Sequence, residues 1–285
     1  AGCVLPFGTL RRCLERDGEL AARYAALVGR VRSCPPEQLD PLLARLRHLV
    51  DQVDIPEHLL VALLGEFGEG SILFVRSSAN GEDVPELGTA GLYDSVAGVT
   101  TATLPEAIRR VWSSLWTRRA VLSRVRAGVE HERIRMAVLI QPAVPSDLSF
   151  VLHTRNPLGS DPREAYAELA VGLGETLASG AQEGTPYRVV FDRDTAEHRF
   201  TAFASFSRAL HLAPDGGVAT TTVDYTRVGL TTDRAVRDTL VWRLRHVASM
   251  IESTFGPAQD VEGGMAGETV HVVQTRPQSG APIGV

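Results

Sequence analysis

Lysine is absent from this 285-residue sequence, and all 29 basic residues are arginine. No reaction step can therefore use a lysine amine from this chain, and the phosphate contact that a P-loop lysine provides is excluded. Aspartate and glutamate together number 34, so the formal net charge is -5. This balance argues against non-specific nucleic-acid binding, which depends on neutralising backbone phosphates with basic side chains.

Cysteine and long apolar runs are scarce as well. Cys3, Cys13 and Cys34 are an odd, clustered set without CxxC spacing, which supports neither a disulfide framework nor a zinc site. No apolar run approaches the roughly 20 residues that cross a bilayer, and the first ten residues lack the layout of a secretory signal. We therefore expect reduced thiols and no membrane partner.

The order of hydrophobic patterns predicts a mixed fold. Apolar residues recur at three-to-four spacing through most of the first part of the chain, which is typical of helices. From Met136 onward, short strand-like runs alternate with turn residues, and one amphipathic helix with Thr232 or Asp233 as its N-cap interrupts them. The pattern predicts an α+β or α/β chain with a helix-rich first lobe at 1–130 and a strand-rich second lobe at 131–285.

The segment VRSSANGED carries the first candidate site. Arg76 leaves a predicted strand into a loop rich in serine and glycine, from Ser77 to Asp83. A guanidinium, hydroxyls and free backbone amides together suit phosphate oxygens. For these residues alone, an ordinary strand end with a capping turn is the favoured interpretation.

Two late segments, QDVEGG and VVQTRP, carry the second candidate site. Side chains alternate along a strand, so Asp260 and Glu262 share one face, and so do Gln274 and Arg276. Adjacent carboxylates repel unless a cation lies between them, and Mg²⁺ prefers such oxygen ligands together with substrate phosphates. If the two strands pair through a turn at Gly267, the four polar groups form one patch; two solvated strand faces are the rival interpretation.

Two weaker features complete the candidates. GLGETLASG is a glycine-rich turn that lacks the P-loop lysine and does not fit GxGxxG. His153 lies inside a strand-like run, where a hydrogen-bonded structural histidine is the commoner case. We assign no histidine a catalytic role.

Taken together, these blocks resemble the ATP-binding domain of the glucan, water dikinase family. The wider group includes pyruvate phosphate dikinase and phosphoenolpyruvate synthase, and the phosphoglucan, water dikinase branch is the most similar. The resemblance covers roughly residues 5–278, and the blocks that carry it occur in the family's order: VRSSANGED, AGLYDSV, VWSSLWTRRAVLSR, MAVLIQ, DLSFVLHT, GLGETLASG, GTPYR, VDYT, QDVEGG and VVQTRPQ.

The resemblance implies an ATP-grasp fold, in which two lobes hold ATP and Mg²⁺ between them. It also implies cleavage of ATP to AMP and inorganic phosphate. The resemblance further implies that the β-phosphate passes through a phosphohistidine on another domain to a phosphorylated α-glucan such as starch, in the chloroplast or another plastid. Phosphoryl transfer of this kind depends on positioning and charge neutralisation.

The same resemblance implies roles for individual residues. Arg76, with Ser77 and Ser78 of the loop, would hold phosphates, and Arg276 would neutralise charge on the transferred group. The remaining positions are assigned as follows: Glu262 and Gln274 to Mg²⁺, Asp260 beside them, Gln141 to adenine, Glu168 to ribose, and Arg118 either to phosphate or to a structural ion pair.

Several functions stay open at this point. The acceptor could be unphosphorylated glucan, pyruvate or another small molecule, as in an α-glucan, water dikinase or a pyruvate/PEP-type dikinase. The family's domain normally opens with a glycine-rich segment whose lysine contacts the phosphates, and this chain starts just after that place. We therefore expect the chain alone to be an incomplete dikinase, and a truncated, inactive nucleotide-binding module is the alternative.

Overall fold

The computed structural model describes residues 2–68, 70–81, 91–178 and 183–278. The chain forms two compact units, one of Ala1–Ala143 with Ala213–Gly217 and one of Val144–Leu212 with Val218–Val285. The predicted α+β class is confirmed, with helices prominent in the first unit and strands in the second. The lobe boundary after residue 130 stays a prediction.

The first unit combines helices with one antiparallel sheet. Its elements in chain order are β1 (Cys3–Leu5), α1 (Thr9–Leu14), α2 (Gly18–Val31), α3 (Pro36–Asp51), α4 (Glu57–Leu64), β2 (Leu73–Ala79), β3 (Val96–Val99), α5 (Leu104–Ser113), α6 (Arg118–Arg126) and β4 (Met136–Pro142). The four strands pair in the order β1-β4-β2-β3. Helix α5 packs on β2, β3 and β4, and α3 packs on α5, so the core lies against the sheet.

Helix α5 shows why the local sequence folds this way. Pro105 lies in its first turn, where a missing N–H costs nothing. Ile108, Val111 and Trp112 follow at three-to-four spacing and are fully buried. Burial of this stripe fixes α5 on the sheet that carries Arg76.

The second unit is dominated by a six-stranded antiparallel sheet. Its elements in chain order are β5 (Leu148–His153), β6 (Glu164–Val171), α7 (Glu175–Ala178), β7 (Tyr187–Asp192), β8 (His198–Ala202), β9 (Arg208–Leu212), β10 (Val218–Thr222), α8 (Gly229–Thr232), α9 (Arg234–Phe255), β11 (Gln259–Ala266) and β12 (Thr269–Pro277). The sheet order is β12-β11-β5-β6-β7-β8, and β9 and β10 form a separate hairpin.

Helix α9 supplies the apolar cover of the six-stranded sheet. Asp233 is its N-cap and accepts a 2.7 Å hydrogen bond from the backbone N–H of Ala235, which selects between the two predicted caps. Leu244 and Ala248 are fully buried in the same core cluster as Val261 of β11. One face of the sheet is therefore apolar.

One sequence-based expectation needs correction, and several strands were not predicted. Ser77 does not begin a loop, because Ser77, Ser78 and Ala79 continue β2 by pairing with β4. Strand β4 begins after the predicted lobe boundary and pairs with β1 and β2. Strand β1 and the β9–β10 hairpin were not predicted, since their short sequences have no distinctive alternation. Asp83, the expected end of the loop that begins at Ser77, lies outside the described residues.

Within the part of the chain that the structure describes, no helix is long and apolar enough to cross a membrane.

Candidate nucleotide and metal site

The β11–β12 hairpin brings four of the predicted site residues together. Gly267, with φ 56°, lies in its turn, which agrees with the expected Gly267-centred connection. Asp260 lies directly opposite Arg276, and Glu262 lies directly opposite Gln274. Directly opposite residues share a face, so two carboxylates, an amide and a guanidinium lie on one side of the hairpin.

A β-bulge interrupts the hairpin next to this group. Glu262 pairs with Gln274, but Gly263 pairs with Val272, so Val273 is an extra residue on β12. A bulge of this kind bends the strand and re-aims the neighbouring side chains. The irregularity therefore lies directly beside the Glu262–Gln274 pair.

The polar face continues across β5, β6 and β7. In one row, Glu262 is opposite Val151, Val151 is opposite Glu168, and Glu168 is opposite Arg188. In the next row, Asp260 is opposite His153, and His153 is opposite Tyr166. Each row joins residues that point to the same side. We call this surface the polar sheet face.

Asp260 and Arg276 form the strongest contact on the polar sheet face. The Asp260 Oδ2 atom accepts hydrogen bonds from Arg276 Nη2 at 2.7 Å and from Arg276 Nε at 2.9 Å. The Asp260 side chain is only 12% exposed, and its Oδ1 lies 3.6 Å from His153 Nδ1. Arg276 thus neutralises a carboxylate that is largely withdrawn from water.

Glu168 is fixed by two neighbours on the same face. Its Oε1 accepts a 2.6 Å hydrogen bond from the Tyr166 hydroxyl and a 2.9 Å bond from Arg188 Nε. Burial and the Glu168 carboxylate raise the pKa of Tyr166, so this hydroxyl keeps its proton and donates it. Both bonds reach Oε1, and neither uses Oε2.

The opposite side of the same sheet is the apolar core described above. Val261 and Gly263 alternate with Asp260 and Glu262 and point toward the buried Leu152 and Phe150 of β5. Because side chains alternate strictly, packing of these residues determines which way the carboxylates point. The site geometry follows from burial rather than from interactions among the polar groups themselves.

In the first unit, β2 places Arg76 and Ser78 on one face. Phe74 is on that face too, and the Arg76 guanidinium lies 4.3 Å from the centre of the Phe74 ring, a cation–π geometry. Gln141 of β4 lies directly opposite Phe74. Ser77 alternates to the other face, opposite the fully buried Val138. The strand thus groups Arg76, Ser78 and Gln141, and it separates the Ser77 side chain from them.

Arg118 takes the structural alternative that the sequence left open. Its Nη1 donates a 2.9 Å hydrogen bond to Asp40 Oδ2, which connects α6 with α3. Both side chains are exposed, so the pair contributes little to stability.

The donor set on the hairpin fits magnesium as a partner of a nucleotide. Among the described residues, no group of three or more histidine, cysteine, aspartate or glutamate side chains can hold a metal ion. Magnesium commonly takes one or two protein oxygens and completes its octahedron with water and phosphate oxygens. The Glu262 carboxylate and the Gln274 amide are a set of this size, so a metal here requires the phosphates of a ligand.

Three neighbours on the polar sheet face were missed by the sequence analysis as site residues: His153, Tyr166 and Arg188. Their proximity to Asp260 and Glu168 depends on the register of β5, β6 and β7. Register is set by tertiary packing, and no short motif encodes it. Alternation within β6 was the available signal, since it places Tyr166 and Glu168 on one side.

Comparison with known proteins identifies the chain as a nucleotide-binding domain of the ATP-grasp type. The family model described as "Pyruvate phosphate dikinase, AMP/ATP-binding domain" matches residues 5–282. The chain belongs to this family, whose domains use ATP, typically with Mg²⁺. The wider dikinase group expected from the sequence is confirmed, and the glucan, water dikinase branch stays a prediction.

Relatives with three different names match this chain. A "Rifampicin phosphotransferase" of a Streptomyces species is 34% identical over 268 residues, which is 92% of this chain and 29% of the relative. A "Probable phosphoenolpyruvate synthase" of Pyrococcus abyssi is 28% identical over 88% of this chain and 32% of its own length. An "Alpha-glucan water dikinase, chloroplastic" of Citrus reticulata is 33% identical, over 60% of this chain and 13% of its own length. The chain thus spans about a third or less of these relatives.

Replacing Arg276 with methionine is expected to lower the free energy of unfolding by about 1–2 kcal/mol, because the withdrawn Asp260 carboxylate loses its partner. Arg276 is itself 38% exposed, so water offsets part of the loss. Urea unfolding of the unliganded chain measures this. Arg234→Met is the control, since Arg234 is 86% exposed and its carboxylate partner Asp238 is 3.8 Å away. Equal stability of the two variants would show that the Asp260–Arg276 pair has no structural role.

Proposed function

We propose that this chain binds Mg–ATP and acts as the ATP-cleaving domain of a dikinase-type phosphotransferase. In this reaction the γ-phosphate passes to water and is released as inorganic phosphate, the β-phosphate passes to a histidine on a separate domain, and AMP remains. One observation carries the proposal. Glu262 lies opposite Gln274 and Asp260 lies opposite Arg276 on one side of a hairpin, in a chain of the AMP/ATP-binding family.

The second unit's residues are proposed to hold the metal and the transferred phosphate. Glu262 and Gln274 supply oxygen ligands to Mg²⁺, which neutralises phosphate charge when bound. Arg276, oriented by Asp260, stabilises the charge that develops on the transferred group. Glu168 Oε2 accepts a hydrogen bond from a ribose hydroxyl, while Tyr166 and Arg188 hold the carboxylate through Oε1.

The first unit's residues are proposed to contact the rest of the nucleotide. Arg76 offers a planar donor set for phosphate oxygens, and its position over Phe74 limits its rotamers. Ser78 shares that strand face and donates its hydroxyl. Gln141, opposite Phe74, contacts adenine. Ser77 points to the other face, so only its backbone is proposed to contribute.

Calorimetric titration of the chain with ATP tests the binding step. We expect heat of binding that depends on Mg²⁺, with weaker binding in excess EDTA. Binding of equal strength with and without Mg²⁺ would rule out the hairpin metal site. Absence of binding at millimolar ATP would favour the inactive-module alternative.

The acceptor that the chain's sequence favours is a rifampicin-like antibiotic. Two relatives named "Rifampicin phosphotransferase", from a Streptomyces species and from Streptomyces sviceus, match 92% and 97% of this chain with 34% and 31% identity. Acceptor recognition lies in other domains of such enzymes, so the assignment rests on relatedness of the ATP domain alone. The phosphohistidine domain is the expected partner.

An α-glucan acceptor is the second candidate, and with it a role in starch metabolism in the chloroplast. Its support is the pair of glucan dikinase relatives, which match 60% of this chain with 33% and 32% identity. One experiment distinguishes the two candidate acceptors. The chain and β-labelled ATP are incubated with the remaining domains of a rifampicin phosphotransferase or with those of a glucan dikinase. Label reaching rifampicin but not glucan supports the first candidate, and the reverse supports the second.

A further inference from the structure

A cavity of about 350 Å³ lies inside the first unit, and its lining includes none of the residues proposed above to bind nucleotide. It is bounded by α1, α2, the 3₁₀ turn Ser114–Trp116 and the start of β4. Its apolar wall consists of Leu10, Leu14, Val28, Ile134 and Met136. This volume suits a small organic molecule.

A buried arginine lines this cavity. Arg124 is 1% exposed, and its guanidinium lies 5.4 Å from the centre of the Trp116 ring. Nη2 donates a 2.6 Å hydrogen bond to the Leu115 carbonyl, and Nη1 is 3.5 Å from the Tyr93 hydroxyl. Across the described ranges, no carboxylate forms an ion pair with Arg124. Buried charges are normally paired, so this cation is unusual.

His131 adds a second donor. Its Nδ1 accepts a 3.1 Å hydrogen bond from Arg124 Nε, which places the imidazole proton on Nε2. Burial and the adjacent Arg124 lower the pKa of His131, so the ring stays neutral near pH 7. The His131 ring also packs edge-on against Trp116, with centroids 6.4 Å apart. Nε2–H is therefore a fixed donor in the cavity lining.

Tyr24 adds a third donor. Its hydroxyl oxygen accepts a 3.0 Å hydrogen bond from Trp116 Nε1, so the hydroxyl proton is directed elsewhere. Burial raises the pKa of Tyr24 to about 12, and the proton stays in place at neutral pH. Arg124, His131 and Tyr24 thus give the cavity a cluster of donors around Trp116, which we call the Trp116 cluster.

The other charged residues of the lining do not supply a counter-ion for Arg124. Glu15 pairs with Arg11 at 3.2 Å, and Glu132 is exposed. Arg135 donates to the Ile134 carbonyl at 2.9 Å and to the Glu132 carbonyl. The lining has a formal net charge of one positive unit, because it contains three arginines (Arg11, Arg124, Arg135) and two glutamates. That excess matches a ligand with a single negative charge.

We propose that this cavity binds a small organic carboxylate, whose anionic group takes the donors of Arg124, His131 and Tyr24 and whose apolar body lies against Leu10, Leu14 and Val28. The carboxylate supplies the counter-charge that no described residue gives Arg124, and a guanidinium with a carboxylate is a strong planar pair. The site is separate from the nucleotide site and does not depend on ATP chemistry.

Calorimetric titration of the 285-residue chain with phenylacetate, without nucleotide, tests the proposal. We expect saturable binding of one equivalent, and phenylacetamide, which keeps the shape but lacks the charge, should bind at least about tenfold more weakly. Equal affinity for acid and amide would overturn the role of Arg124. No saturable binding of phenylacetate up to about 10 mM would overturn the site.

A pair of substitutions on α2 locates the binding. Ala25 is exposed and lines the cavity, so Ala25→Phe should fill its mouth and weaken phenylacetate binding at least about tenfold without removing a core side chain. Ala26 is exposed but does not line the cavity, so Ala26→Phe should leave the affinity unchanged. An unchanged affinity in Ala25→Phe would place the bound molecule elsewhere and contradict the proposal. Far-UV circular dichroism verifies that both variants fold.

Discussion

Replacing Glu262 with glutamine is expected to remove most of the contribution of Mg²⁺ to ATP binding. Glutamine keeps the shape and the strand register but replaces an anionic metal ligand with a neutral one. Loss of one such ligand weakens metal-dependent affinity by on the order of 100-fold, or about 2.7 kcal/mol. The measurement is the ratio of ATP dissociation constants with Mg²⁺ and with excess EDTA, determined by calorimetry for the native chain and for Glu262→Gln.

The matched control for this experiment is Glu268→Gln on the same hairpin. Glu268 lies next to Gly267 at the turn, and its side chain is 97% exposed. This variant changes the net charge by the same amount, so it isolates metal ligation from the general electrostatic effect. A Mg²⁺ effect that survives in Glu262→Gln would locate the metal ligand elsewhere. A Mg²⁺ effect lost in both variants would indicate that charge alone governs binding.

The hairpin illustrates how far local sequence could predict this site. Two runs with alternating polar residues, separated by a glycine, predict a hairpin with coincident faces. The structure pairs Glu262 with Gln274 and Asp260 with Arg276, as that reasoning requires. Prediction succeeds here because the two strands are adjacent in sequence and the turn fixes their register.

The rest of the polar sheet face depends on contacts between distant parts of the chain. His153 lies beside Asp260 because β5 inserts between β11 and β6, more than a hundred residues away in sequence from β11. The sequence around His153 therefore does not predict that Asp260 is its neighbour. The same holds for Ser77, whose hydroxyl was expected with Ser78 but lies on the opposite face once β2 extends to Ala79. Strand alternation separates them, and the expected loop would not have done so.

The all-arginine composition agrees with the chemistry of both sites. Arg276 forms two hydrogen bonds to one carboxylate oxygen, Arg76 lies over an aromatic ring, and Arg124 is buried against another. A planar guanidinium is more weakly hydrated than an ammonium group and can both stack and donate several hydrogen bonds. Substituting lysine at Arg124 or Arg276 would therefore preserve the charge but remove the planar arrangement of donors.

Replacing Gly263 with alanine is expected to destabilise the second unit by about 3 kcal/mol and to disturb the metal site. A Cβ at this position would lie 2.2 Å from Phe150 Cζ and 2.5 Å from the His271 carbonyl oxygen. Phe150 is 1% exposed and His271 contributes backbone, so neither can move without displacing β5 or β12. Gly263 also adjoins the bulge, so relief of the clash moves Glu262 relative to Gln274.

Urea unfolding and ATP titration of the same variant measure the two effects together. Gly174→Ala is the control, since its Cβ would meet only Ser149, at 3.8 Å, in the same unit. We expect that variant to remain within about 0.5 kcal/mol of the native chain. If Gly263→Ala is equally stable, the close packing of Phe150 does not hold the hairpin. If it is destabilised but keeps full Mg²⁺-dependent affinity for ATP, the bulge beside Glu262 does not set the metal geometry, and the apolar side of the sheet would be unconnected with the chemistry on its polar side.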